Sequence, residues 1–197
     1  MDKIVTSRGI RIEGLRKRYR EGDTAVDALK GVDMAVAPGE VIGLIGPSGS
    51  GKSTLLKCLG VVIEPTAGRM TLNGEAIYDD GWKIPDLRAL RRDRIGFVFQ
   101  APYLIPFLDV TDNIALLPML AGIPNAEARR RALELLDAVD SERALGVIRI
   151  LNRMATQFDT AIIVVTHDEK IIPTFRRIYH IRDGRTVEEA GEGKAIE

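Results

Sequence analysis

An uninterrupted apolar run, Val41-Ile42-Gly43-Leu44-Ile45, leads directly into Gly46-Pro47-Ser48-Gly49-Ser50-Gly51-Lys52-Ser53. These eight residues fill every fixed position of the pattern G-x-x-x-x-G-K-[ST]. The apolar run reads as a strand covered on both faces, which places it inside a parallel sheet, and the residues after the loop read as a helix. The glycines permit a tight backbone path on which successive N–H groups converge, and the helix N-terminus adds partial positive charge. Such a cradle recognises phosphate. Gly46, Ser48, Gly49, Ser50 and Gly51 form it, with Thr54 at its helical end. Lys52 is placed to reach the terminal phosphates, and the Ser53 hydroxyl is placed to hold Mg²⁺. A Mg²⁺-bound nucleotide is the expected ligand.

Strand-like and helix-like segments alternate along the rest of the chain, as in an α/β fold around a mainly parallel sheet. Residues 10–15 alternate apolar and charged positions, and residues 28–36 do so more loosely before Pro38-Gly39. Asn73-Gly74, inside an apolar stretch, is the strongest hairpin signal and marks an antiparallel β subdomain. Pro85-Asp86 opens a short basic helix, and residues 95–99 read as another buried strand. Residues 101–139 are proline-punctuated and then helical, with Thr111 as N-cap and Ala132, Leu133, Leu136 and Val139 as an apolar stripe. This stretch reads as a truncated helical lobe within one domain, whose α/β core is built from residues 1–100 and 140–185. Residues 141–158 read as a helix with Ala144, Val147, Ile148, Leu151, Met154 and Phe158 on one face. Residues 161–165 read as a buried strand, 169–176 as a helix and 178–181 as a strand, with a frayed acidic tail over 186–197.

Composition narrows the function classes. The 197 residues carry 28 Lys+Arg against 28 Asp+Glu and are 45% apolar, so the chain buries a core and has no net charge for general nucleic-acid affinity. Arg16-Lys17-Arg18, Arg91-Arg92 and Arg129-Arg130-Arg131 read as solvated faces. The single Cys58 excludes a disulfide framework and fits a reducing compartment. No apolar run approaches the roughly 18 residues of a membrane span, so a cytoplasmic protein is expected.

Several segments in register with the phosphate loop resemble the ATP-binding subunit of an ABC transporter, of the kind that serves lipoprotein-release, macrolide-export and heterocyst-glycolipid-type permeases. The resemblance covers residues 10–185. It implies that Tyr19 stacks on adenine, that Gln100 touches Mg²⁺ or the attacking water, and that His167, two residues past an apolar strand, contacts the γ-phosphate. It implies ATP and Mg²⁺ as ligands and ATP hydrolysis coupled to transport. It also implies an FtsX-like integral-membrane permease as partner, docked at residues 101–112, and a position against the inner face of the membrane. His180 reads as structural.

Two motifs of that family are absent from the sequence. There is no Leu-Ser-Gly-Gly-Gln signature, and no four-residue apolar strand followed directly by Asp-Glu. In Ile162-Ile163-Val164-Val165-Thr166-His167-Asp168-Glu169, two polar residues separate the acids from the strand. The sequence passes from Leu135-Leu136-Asp137-Ala138-Val139 straight to Asp140-Ser141-Glu142-Arg143, which resembles the family's D-loop, so an in-frame excision is the simplest account. The resemblance implies a nucleotide-dependent head-to-tail homodimer, in which the signature of one copy completes the site of the other. Two copies of this chain complete neither site. Loss of a positioned general base alone costs about 10²–10⁴ in rate. An ATP-binding remnant without turnover is therefore the alternative to an active ATPase, and a P-loop kinase of a small acceptor is a weaker third. The missing strand is expected between residues 95–99 and 161–165, leaving a gap in the sheet.

Overall fold

The computed structural model describes residues 8–21, 24–97, 104–139 and 144–194. The polypeptide divides into two compact units, Met1–Gly96 with Ile148–Glu197, and Phe97–Val147.

In the first unit, β1 (Ile10–Glu21) and β2 (Thr24–Val36) form a long antiparallel pair, with β4 (Ala67–Leu72) on the other side of β1. β5 (Glu75–Asp79) closes this sheet in the order β2-β1-β4-β5. Asn73 and Gly74 turn the β4–β5 hairpin at φ 52° and 83°, the double positive φ that a two-residue type I′ turn requires. A second sheet has the order β6-β3-β7-β8. Its centre is β3 (Val41–Ile45), buried along all but its last residue and running parallel to β6 (Ile162–Val165) and β7 (Arg177–Arg182). β8 (Arg185–Ala190) pairs antiparallel with β7. The expected antiparallel subdomain and mainly parallel core sheet are both present. Between β3 and β4 runs α1 (Lys52–Leu59), whose Leu55 and Cys58 enter the core with Leu29, Ile42, Leu44 and Ile181. Burial pushes the Cys58 thiol up to about 11, so it behaves as an inert apolar side chain.

α2 (Leu87–Arg94) starts where Asp86 accepts the Arg88 and Ala89 N–H groups at 3.0 and 2.9 Å. The second unit contains α3 (Val110–Leu120) and α4 (Asn125–Val139), packed through Ala115, Ala128 and Ala132. α5 (Ala144–Phe158) then leads back to the first unit, where Ile148 and Ala155 pack with Val41, Phe175 and Ile178.

Several expectations need correction. The N-cap of α3 is Asp109, whose carboxylate accepts the Asp112 N–H at 2.6 Å, and not Thr111. A carboxylate two residues earlier, just outside the helix, accepts the free N–H instead. The α4 contact uses small residues, and Leu133 is 51% exposed. On α5, Val147, Met154 and Phe158 are exposed, so its apolar stripe is only partly covered. Residues 169–176 form a turn and a 3₁₀ turn over Ile172–Thr174, because Pro173 supplies no N–H to continue a helix. As far as Lys194 the tail is paired rather than frayed: after β8, Gly191, Gly193 and Lys194 donate to the Arg176, Phe175 and Pro173 carbonyls, and residues 195–197 lie outside the described residues. Ile95–Phe97 is not a strand, and the rest of that expected strand lies outside the described residues. β6 is the outermost strand of its sheet among the described residues; Ile162–Val164 are half-buried and Val165 is exposed, so it is not covered on both faces. A strand expected to continue the sheet past β6 is thus not seen among them.

Across the amino-terminal edge of the second sheet, Arg177 ties the elements together. Its Nη1 donates to both Glu40 carboxylate oxygens at 2.8 Å, and its Nε donates to Glu188 Oε1 at 2.9 Å. Its Nη2 donates to the Tyr179 hydroxyl and to the Ala35 carbonyl. Tyr179 in turn donates to Glu188 Oε2 at 2.7 Å. Hydrogen bonds from Arg177 hold the Glu188 carboxyl below its usual range, whereas burial pushes the Tyr179 hydroxyl up to about 12. A depressed carboxyl contributes stability above its unfolded value and loses it as pH falls through the folded one. Arg177→Met should therefore lower unfolding free energy by ~2 kcal/mol by leaving Glu40 and Glu188 unpaired. Glu188→Gln should flatten the fall in thermal midpoint on acidification below about pH 4.5, the ordinary glutamate range, as read by calorimetry across pH.

Candidate functional site

β3, β6 and β7 run in parallel, so the segments after Ile45, Val165 and Arg182 leave the sheet at one carboxyl edge, where open α/β sheets bind ligands. The segment after Ile45 is the glycine-rich loop. Gly51 adopts φ 108° immediately before α1, and no side chain caps that helix. Its first N–H groups are left for an external acceptor. A side-chain carbon on Gly51 would sit 2.7 Å from the Ala28 carbonyl oxygen, and one on Gly46 would sit 2.1 Å from the Ile181 carbonyl oxygen. The loop is pressed against β2 and β7 at those points. It is held there by the Asp183-Gly184 turn between β7 and β8: Gly184 N–H donates to the Ser50 carbonyl at 3.0 Å, and the Gly184 carbonyl accepts from Lys30 N–H at 2.7 Å.

A depression of about 320 Å³ lies over the loop, lined by Ala28, Ser48, Gly49, Gly51, Lys52, Ser53 and Thr54. Lys52 Nζ donates to the Gly46 and Pro47 carbonyls, both at 2.7 Å, and no carboxylate lies within ion-pair distance of it among the described residues. Ser50 is 4% exposed, and its Oγ lacks a hydrogen-bond partner. An uncompensated ammonium, free helix N–H groups and an orphaned hydroxyl fit a multiply charged phosphate chain. For a divalent cation the described residues hold no cluster of three acidic, His or Cys side chains, so the fit is to a metal brought by phosphates and held by the exposed Ser53 hydroxyl.

The remaining predicted residues are placed as follows. His167 is exposed at the same sheet edge, two residues beyond β6. Tyr19 lies near the end of β1, is 40% exposed, and has the Lys17 ammonium 5.2 Å from its ring centroid. It pairs with Val26 on β2, two residues from Ala28, but does not itself line the loop depression. Gln100 and the Asp140–Arg143 join lie outside the described residues. Asp168, the first of the two acids beyond β6, is engaged locally: its carboxylate accepts Lys170 N–H at 2.9 Å and its own N–H donates to Thr166 Oγ1. His180 is on β7 with Nε2 2.6 Å from Glu189 Oε2, a close contact without hydrogen-bond alignment. Sequence reasoning missed the bracing turn, for which Asp183-Gly184 was the available signal.

A family model described as "ABC transporter" matches residues 29–172. The chain belongs to the ABC transporter family. Among curated family members, it is 32% identical to the macrolide export ATP-binding/permease protein MacB of Marinobacter nauticus, over 225 positions that take in 92% of this chain and 34% of the relative. MacB of Sodalis glossinidius is also 32% identical, with 90% and 33% covered. The chain thus spans about a third of the length of the curated relatives it matches. Of solved structures, the dimeric ATP-binding cassette MJ0796 bound to ADP and Pi superimposes with a TM-score of 0.79 at 25% identity, covering 95% of this chain and 100% of the other. A further dimeric MJ0796 structure gives 0.80 at the same identity and coverage. Among the described residues, no helix is long and apolar enough to cross a membrane.

The loop geometry ranks two substitutions. Gly51→Ala meets both a left-handed φ and the Ala28 carbonyl, and should cost ~2 kcal/mol. Gly49→Ala, at φ 78° with nothing within 4 Å of the added carbon, should cost ~1 kcal/mol, and chemical denaturation of the two variants reads the order.

Proposed function

We propose that the chain is the ATP-binding, energy-coupling part of an ABC exporter and holds Mg-ATP in the loop from Gly46 to Thr54. The observation that carries the reading is the loop itself: a depression with unpaired N–H groups, an ammonium without a carboxylate, and Ser53 at the helix start. In this reading Lys52 and the loop N–H groups bind the β- and γ-phosphates, and Ser53, with Gln100, holds Mg²⁺. The metal, when bound, neutralises charge on the phosphate oxygens. Tyr19 supplies a face for adenine, and His167 senses the γ-phosphate from the adjoining strand end. Together the residues bind, orient and recognise. An FtsX-like integral-membrane permease, contacted by residues 101–112 at the inner face of the membrane, is the proposed partner. The names of the MacB relatives, which join ATP-binding and permease functions, support that assignment.

A second reading concerns turnover: the chain alone binds ATP without hydrolysing it, as a remnant of a transporter ATPase. The sequence has no Asp-Glu directly after an apolar strand, and Asp168 is occupied as a turn cap. The MacB alignment supports an internal excision. It spans 225 positions, whereas 92% of 197 residues is about 181, so about 44 positions of the alignment carry no residue of this chain. The half-exposed outer strand β6 is where the sheet would feel that loss.

The test compares wild type with Lys52→Ala for Mg-ATP affinity and for phosphate release. Affinity should fall roughly tenfold or more on loss of a charge-assisted contact, with phosphate release negligible and equal in both proteins. Release clearly above the variant would overturn the second reading and direct attention to Asp168 and Glu169. Equal affinity would overturn the first.

A further inference from the structure

A second depression of about 320 Å³ shares no lining residue with the phosphate loop. Arg16 and Arg18 reach it from β1, Lys30 from β2 and Arg185 from the start of β8, with Thr66 at the rim and buried Leu29 in its lining. Asp27 is the acid of the lining. Two of the cations are matched: Arg18 Nε lies 3.0 Å from Asp27, and Lys30 Nζ lies 2.5 Å from Asp183. For Arg16 and Arg185, no carboxylate lies within ion-pair distance among the described residues.

We propose that this depression is a second anion site, which takes a phosphate-bearing group between the Arg16 and Arg185 guanidiniums.

Backbone pairing, not mutual attraction, brings the cations together. The β1–β2 register puts Arg16 directly opposite Lys30, a like-charge cross-strand pair that costs stability. The hydrogen bond from Lys30 N–H to the Gly184 carbonyl sets Arg185 beside the same strand. The result is a surplus of two positive charges around an apolar patch, which a dianion would offset. Guanidinium suits the task, because its planar fork donates to two oxygens of a tetrahedral oxyanion at once. Thr66 completes the donor set. Its N–H is bonded to the Arg16 carbonyl at 2.8 Å and its Oγ1 accepts from Arg18 N–H at 2.9 Å, while its hydroxyl proton has only a 3.5 Å contact with the Arg18 carbonyl. The proposal does not depend on nucleotide binding at the loop.

The same chemistry describes a soluble phosphate compound and a phospholipid headgroup, and the experiment separates them. Isothermal titration with pyrophosphate is run on wild type, on Lys52→Ala, and on the double variant Arg16→Gln/Arg185→Gln built in the Lys52→Ala background, so that the phosphate loop does not mask the result. Co-sedimentation of the three proteins with vesicles of phosphatidylglycerol or phosphatidylcholine supplies the lipid arm. The expected result is an interaction that persists in Lys52→Ala, weakens roughly tenfold or more in the double variant, and weakens again on raising salt. Seen with pyrophosphate, it assigns a soluble anion; seen only with phosphatidylglycerol, it assigns a headgroup. If Lys52→Ala removes all binding in both arms, or if adding the Arg16→Gln/Arg185→Gln changes to Lys52→Ala leaves its binding unaltered, the site is refuted. Arg16→Lys/Arg185→Lys, which keeps the charge but not the fork, guards against misfolding: it should recover part of the affinity, and recovery of none in a folded protein also counts against the site.

Discussion

A single residue, Gly184, holds the phosphate loop where it can act. Its N–H reaches the Ser50 carbonyl and its carbonyl takes the Lys30 N–H, so β2, the β7–β8 turn and the loop share one backbone relay. The loop has few restraints of its own. Its glycines are chosen for the path they allow, and such residues gain shape only from what surrounds them. Close approaches of Gly46 to Ile181 and Gly51 to Ala28 show the same dependence from the other side. The cradle is thus built as much by Ile181 and Gly184, far along the sequence, as by the motif itself.

Much of this was legible in the sequence, because the strongest signals are local. The buried strand before the loop, the Asn73-Gly74 hairpin and the Asp86 cap each follow from a few adjacent residues. The failures share a cause as well. Residues 95–97 and β6 both read as buried strands, since an apolar run states a preference but not whether a neighbouring strand exists to satisfy it. Ile162–Val165 has β3 on one side and is half-buried for want of cover elsewhere. Residues 169–176 carry an apolar pattern that Pro173 interrupts, and the acidic tail looked too polar to be ordered until it was seen paired along β7. The site was legible in type and incomplete in extent: the motif named the loop but not the turn that supports it.

The two ends of the central sheet divide the work. At the amino-terminal edge, Arg177 gathers Glu40, Glu188, Tyr179 and the Ala35 carbonyl into a satisfied network, which is a structural use of charge. At the carboxyl edge, polar groups are left short of partners: an orphaned Ser50 hydroxyl, uncapped helix N–H groups and an exposed His167. Completed bonding at one edge lets the protein carry unmet bonding at the other, where a ligand supplies the rest.

The position of Lys52 has a further consequence. Its ammonium rests on two carbonyls of the loop it serves. An arriving anion that draws it away must replace those two contacts, so the measured affinity is the difference between two ways of satisfying one charge.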